Sequence, residues 1–156
     1  MKILLDIDGV LVTTPIWRKA EVLADGFLKF DESASKNLAD IISATNSTIV
    51  LTTTHRINFS LEQWYILFRE RGVVASDIVK INEKDSINLL GNRSEEIKAW
   101  VDQFGAAEDY VIIDDDLSIN GLPNYIKKRW VMTKPMIGLN EEATSKALSI
   151  LLGQTR

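Results

Sequence analysis

The first apolar run of the chain, KILLDIDGV, closes on two aspartates one residue apart, Asp6 and Asp8, followed by Gly9. A second run, TIVL at 48–51, ends on Thr52, Thr53, Thr54 and His55. A third, YVII at 110–113, ends on Asp114, Asp115 and Asp116. Side chains alternate along a strand, so Asp6 and Asp8 are expected on one side. Two neighbouring carboxylates repel, and their ionised forms need a compensating charge. Oxygen-only donors fit a hard divalent ion. Mg2+ is the first choice, since it is commonly held by one or two carboxylates together with water and phosphate oxygens. Asp114 is expected to complete that metal site. Gly9 lets the backbone turn sharply out of the strand beside a ligand. A calcium loop of the EF-hand kind is rejected, because Val10, Leu11 and Val12 follow where further oxygen ligands are needed.

These residues need strands to present them and helices to cover the strands. Residues 2–7, 48–51, 110–113 and 130–132 read as short buried strands. Residues 14–31 read as irregular, with one short helix. Ala34, Leu38, Ile41 and Ile42 recur at helical spacing and predict a helix over 32–44. Ser60 and Gln63 form a capping box for a helix that runs to Arg71 and stops at Gly72. Asn92 or Ser94 caps a helix through Phe104, closed by Gly105, and Asn140 caps a last one through Leu152, ended by Gly153. Strands apolar on both faces, alternating with helices, predict an α/β fold with a mostly parallel central sheet. Ligands in such sheets bind beyond the carboxyl ends of the strands. There the chain concentrates its acids and hydroxyls.

Composition narrows the choices. The 156 residues suit a single domain, 1–156. The net charge of −4 argues against a long basic nucleic-acid groove, while leaving room for a nucleotide or a nucleic-acid end. With no cysteine, disulfides, thiolate metal sites and cysteine nucleophiles are excluded. A single histidine, His55, excludes multi-histidine zinc sites within the chain. No apolar stretch reaches the ~18 residues of a membrane span. The N-terminus lacks a signal-peptide pattern, so a cytoplasmic protein is expected.

Asp6-Ile7-Asp8-Gly9-Val10 after one strand, Thr52 ending a second and Asp114-Asp115 ending a third resemble the haloacid-dehalogenase-like (HAD) phosphohydrolase superfamily in order and spacing. A finer resemblance is to small, nearly capless HAD proteins akin to the phosphatase domains of nucleic-acid repair enzymes. It is carried by Gly26-Phe27 with Phe30-Asp31, Ile49 to Thr52 with Arg56, Glu96-Ile97 with Trp100, and Gly138-Leu139-Asn140. His55 departs from that pattern, in which tryptophan often precedes the arginine.

The resemblance implies a three-layer Rossmann-like fold and a magnesium-dependent phosphomonoesterase. Asp6 would be the nucleophile that forms an aspartyl-phosphate. Asp8 would be general acid and then base, lending its backbone carbonyl to the metal. Thr52 would donate its hydroxyl to a phosphoryl oxygen, with the Thr53 N–H helping. Gly9 and Arg56 are further substrate-side candidates. Asp114 would bind magnesium, and Asp115 would support it through water or a hydrogen bond. A cation is also required, where the family usually has a lysine at the start of the helix before the third acidic strand. Arg93 is the first choice, with Lys98 and Lys84 as rivals.

Residues 9–51 and 53–92 leave no room for a large cap domain, and 14–31 suffice only for a small flap. An open site suits a nucleotide, a nucleic-acid end or a small phosphoester. The competing function is a non-catalytic phosphate- or magnesium-binding regulatory or partner module on the same fold. A response-regulator receiver is disfavoured by the DxDGV start and the Thr52 strand. Thr53 and Thr54 have an alternative as turn residues. Asp116 is read as a turn or cap residue, Trp17 and Trp64 as packing residues, and Lys127-Lys128-Arg129 as a solvated run.

Overall fold

The computed structural model describes residues 1–15 and 17–153. Five strands, β1 (Lys2–Leu5), β2 (Thr48–Leu51), β3 (Ile78–Lys80), β4 (Tyr110–Asp114) and β5 (Trp130–Met132), form one sheet in the order β3-β2-β1-β4-β5. Every pairing is parallel. The α-helices are α1 (Glu32–Thr45), α2 (Leu61–Glu70), α3 (Arg93–Trp100), α4 (Asn124–Lys127) and α5 (Glu141–Leu151).

The three inner strands β1, β2 and β4 are buried on both faces because each face carries its own apolar layer. Ile3, Leu5, Ile49, Leu51, Val111 and Ile113 pack with Leu38 and Ile41 of α1, Trp64 and Phe68 of α2, and Ala147 and Leu151 of α5. The alternate residues Leu4, Val50 and Ile112 pack with Ile97 and Trp100 of α3, Ile119 and Ile126. The result is the expected three-layer α/β arrangement with no large cap. No helix among the described residues is long and apolar enough to cross a membrane.

The helix starts are local and side-chain driven. Asp31, Asn92 and Asn140 each accept an N–H from the first turn of α1, α3 and α5. Both halves of the Ser60–Gln63 capping box form at α2. Asn92, not Ser94, caps α3. Asp116 caps a short 3-10 turn by accepting from the Ser118 N–H (2.9 Å), in its expected role.

Several expectations change. β1 ends at Leu5 rather than Ile7, because the Ile7 carbonyl turns aside to accept N–H groups from Val10, Leu11 and Val12. No helix forms among the described residues of 14–31. The segment instead folds back on itself through an antiparallel bridge between Val22 and Leu28. The helix expected through Phe104 is α-helical to Trp100 and widens to a π turn over Val101–Gly105. Trp17 is 75% exposed and does not pack in the core. Arg129 is not simply solvated: it lies over the Tyr110 ring (4.9 Å to the centroid) and donates to the Tyr110 carbonyl.

Trp64 is a packing residue, as expected. It is fully buried, with its ring 5.3 Å from Phe27, 5.4 Å from Phe59 and 5.9 Å from Phe68. This cluster joins α2 to the 14–31 segment. Trp64→Ala is expected to cost about 3–5 kcal/mol. The thermal midpoint should fall by on the order of 10 °C, read by circular dichroism. A shift of only a degree or two would show that the cluster does not hold these parts together.

Candidate active site

Register places the chemistry. Leu5 of β1 is aligned with Leu51 of β2 and Ile113 of β4. One residue further, the Asp6 N–H donates to the Ile113 carbonyl (3.1 Å) and the Thr52 N–H to the Leu5 carbonyl (3.0 Å). Asp6, Thr52 and Asp114 therefore stand in one row at the carboxyl edge. By alternation they continue the face of Leu4, Val50 and Ile112, the side covered by α3. The chain winds outward from β1 to β3 and then returns to β4, so the row spans the topological switch point between β1 and β4.

Asp6, Asp114 and Asp115 each offer a carboxylate oxygen within 4.8 Å of the others. Arg93, the first residue of α3, reaches into this group. Its Nη1 lies 2.6 Å from Asp114 Oδ2 and 3.4 Å from Asp6 Oδ2. Burial pushes the Asp6 carboxyl up to about 6, with the Asp115 charge adding and Arg93 opposing. Burial and then the Asp6 charge push Asp114 up to about 7, against Arg93. Burial and Asp114 also raise Asp115. For Arg93, burial works against the charge, but Asp6 and Asp114 outweigh it and the net shift is upward. Of the three candidate cations, Arg93 is the one brought to the acids. Lys98 pairs with Asp102 at the surface (2.7 Å), and Lys84 is exposed in its loop.

Asp8 does not join the acid group. The loop leaving β1 turns it outward, where its side chain is 60% exposed and Oδ2 lies 2.8 Å from His55 Nε2. β1 has ended at Leu5, and the exposed Asp8 carboxylate stands apart from the three acids, while its charge and that of Asp6 both act on His55. The Asp8 hydrogen bond raises His55 above its ordinary value, against burial. Gly9 has a φ of +78°, and a methyl there would overlap the Asp115 carboxylate, so only glycine allows this approach. The Gly9 carbonyl is held by the Thr133 hydroxyl (2.8 Å).

Thr52 Oγ1 is buried without a hydrogen-bond partner. Such an orphan costs about 1–3 kcal/mol, which an acceptor oxygen of a ligand would relieve. Thr53 caps the 3-10 turn over Thr54–Asn58 by accepting the His55 N–H, which accords with its alternative as a turn residue. Arg56 is corrected from substrate contact to a place behind the site. It is fully buried and donates to the Thr52 carbonyl (2.9 Å), the Thr53 carbonyl (3.2 Å), Asn82 and Glu96. The Arg56–Glu96 pair thereby ties the Thr52 loop to α3. Sequence reasoning does not find this pair. An arginine four residues after Thr52 and a glutamate three after Arg93 were the available signals.

The donor set fits a hard divalent cation. It is all oxygen and largely buried, and burial together with mutual repulsion raises the pKa of each member despite Arg93. Asp6, Asp114 and Asp115 are the side chains that would hold such an ion, rather than the Asp8 carboxylate.

In metal-free protein the folded Asp6 and Asp114 titrate near 6 and 7, against 3.8 unfolded. The folded state then binds more protons in that window, so their contribution to stability falls as pH rises through it. Added Mg2+ should raise the thermal midpoint clearly at about pH 7.5 and much less at about pH 5.5, where protons hold the site. An equal shift at both pH values would remove these acids from metal binding. For the buried pair, Arg56→Met leaves Glu96 uncompensated and should cost about 3–5 kcal/mol in urea unfolding. Adding Glu96→Leu should recover most of it. A double variant as unstable as the single would show that the charge pair is not what binds the loop to α3.

Comparison with curated proteins and with solved structures returned no match. A family described as "HAD domain in Swiss Army Knife RNA repair proteins" matches residues 2–144. Membership supports a hydrolase- or phosphatase-type activity in general, in keeping with the acidic group at the strand ends. Nearly the whole chain is covered by the match, and the chain belongs to this HAD family.

Proposed function

We propose that the protein is a cytoplasmic, magnesium-dependent phosphomonoesterase working through an aspartyl-phosphate on Asp6. The observation that carries this reading is the buried row at the switch point, where Asp6 faces Arg93 and the Thr52 hydroxyl lacks a partner. An Asp6 carboxylate oxygen attacks phosphorus, and the bond from phosphorus to the leaving oxygen breaks as Asp8 gives that oxygen its proton. In the second step water attacks phosphorus and yields a proton to Asp8. The bond between phosphorus and Asp6 breaks, and inorganic phosphate is released. Arg93 orients Asp6 and answers charge on the phosphoryl oxygens. Thr52 Oγ1 and the Thr53 N–H donate to those oxygens. Asp6, Asp114 and Asp115, with the Asp8 carbonyl, would hold magnesium, which would supply Lewis-acid neutralisation of phosphoryl charge.

A phosphorylated nucleic-acid end is the favoured substrate, with nucleotides and small phosphoesters also admitted. The family's description names RNA repair proteins, and no large cap stands over the exposed Asp8. The test is release of p-nitrophenol from p-nitrophenyl phosphate with and without Mg2+, alongside Asp6→Asn. Turnover should require the metal, and Asp6→Asn should lose at least about a thousandfold while staying folded. Nucleotides and 3′- or 5′-phosphorylated oligonucleotides complete the panel. Full activity of Asp6→Asn would discard the mechanism. Phosphate binding without turnover on every substrate would assign the protein instead as a binding module on this fold.

A further inference from the structure

We propose that His55 is a positioning residue for Asp8: its Nε2–H holds one oxygen of the carboxyl so that the other faces the leaving group of a phosphoester. The inference rests on the phosphomonoesterase reading and adds to it how an acid outside the buried row is kept in place.

Asp8 lies on a loop, exposed, with its side chain free of the packing that fixes Asp6. A carboxyl in that setting exchanges rotamers unless a partner selects one. The partner is 47 positions away in sequence, with Nε2 at 2.8 Å from Asp8 Oδ2. His55 is itself well held. Its N–H donates to Thr53 Oγ1 (3.2 Å), which sets the start of the 3-10 turn. Its ring meets Phe27 edge-on, with centroids 5.3 Å apart and planes at 78°. Phe27 in turn packs on the buried Trp64 and the half-buried Phe59, so the imidazole is seated on an aromatic cluster. Position is thus transmitted from the core to an otherwise exposed acid.

The chemical consequence is an assignment of oxygens. With the imidazole proton on Nε2, Oδ2 accepts the His55 hydrogen bond, and Oδ1 carries the proton that moves. Asp8 gives that proton to the leaving oxygen and regains one from the attacking water. His55 keeps its own proton throughout. Holding the carboxyl in one orientation lowers the ordering needed at the moment of transfer. The benefit depends on how much the leaving oxygen needs a proton: large for an alkoxide, small for p-nitrophenolate.

The experiment compares His55→Phe, which keeps a ring on Phe27 without the donor, with His55→Gln, which restores a donor. Each is assayed with Mg2+ on p-nitrophenyl phosphate, phenyl phosphate and an alkyl phosphate. His55→Phe should lose kcat about tenfold or more on the alkyl ester and no more than about threefold on p-nitrophenyl phosphate, with KM little changed. His55→Gln should regain most of the loss. An equal loss on all esters, no loss, or a gain from releasing Asp8 would overturn the proposal. A second readout does not need turnover. His55 is the sole histidine, so its ring 15N shifts report on this hydrogen bond without ambiguity. They should show an Nε2-protonated ring that changes in Asp8→Asn, and insensitivity to that substitution would also overturn it. If Asp6→Asn stays active, the phosphatase reading fails. If Asp6→Asn is dead while His55→Phe behaves as wild type on every ester, only the positioning role fails.

Discussion

Three carboxylates crowded at the ends of two adjacent parallel strands repel one another, and burial makes that repulsion larger than it would be in water. The crowding is imposed by register, since Asp6 and Asp114 each follow the aligned pair Leu5 and Ile113 by one residue. Positive charge has to come from the layer above, and the start of α3 supplies it. Arg93 stands at the N-terminal end of that helix, where the backbone dipole disfavours a cation. Its place there makes sense only against the acids it meets. Moving the helix start by one residue would rotate the guanidinium by about 100° and take it off Asp6 and Asp114. The Asn92 cap and the buried Ile97 and Trp100 prevent that shift.

A second charge pair lies behind the first. Glu96, three residues past Arg93 and so on a neighbouring part of the helix surface, is buried against Arg56. Arg56 also holds the carbonyls of Thr52 and Thr53. Helix α3 is therefore fastened twice, to the ends of β1 and β4 through Arg93 and to the end of β2 through Glu96. A buried ion pair is a poor source of net stability, because desolvating both charges offsets most of their attraction. Its effect here is geometric. The Thr52 hydroxyl and the Arg93 guanidinium come from distant parts of the chain, and the pair keeps their spacing.

Much of this was legible in the sequence because strand ends and helix caps are local signals. An apolar run that stops on acids shows both the strand and what it carries, as at Leu5–Asp6 and Ile113–Asp114. Ser60 with Gln63 and Asn140 marked helix starts in the same way. Arg93 was placed ahead of its rivals by the family resemblance, which implies a cation at the start of the helix before the third acidic strand. What could not be read depended on the chain closing on itself. β1 stops early because Ile7 begins a turn, and Asp8 is left exposed outside the acid group. The Arg56–Glu96 pair and the Asp8–His55 contact join residues 40 and 47 positions apart, with no periodicity to announce them. Trp17 carries no local sign that it will stand exposed, and Arg129 none that it will settle on Tyr110.

The described residues of the 14–31 segment, which suffice only for a small flap, are bonded down. Arg71, at the end of α2, grips Asp25 through both guanidinium arms, at 2.6 and 2.9 Å, and donates Nε to the Leu28 carbonyl. Its hydrogen bonds hold the Asp25 carboxyl below the usual range. The same guanidinium lies over Phe27 and Phe30, 5.4 and 5.1 Å from their centroids. A swing of this segment over the site would have to break the ion pair and pull Phe27 from Trp64 and Phe59. Phe27 is also the seat of His55, so that motion would disturb the hold on Asp8. The segment thus acts as part of the wall rather than as a cover. Under the proposed reaction the buried row fixes the phosphoryl group, and discrimination among leaving groups falls to the open side, where Asp8 meets whatever carries the phosphate.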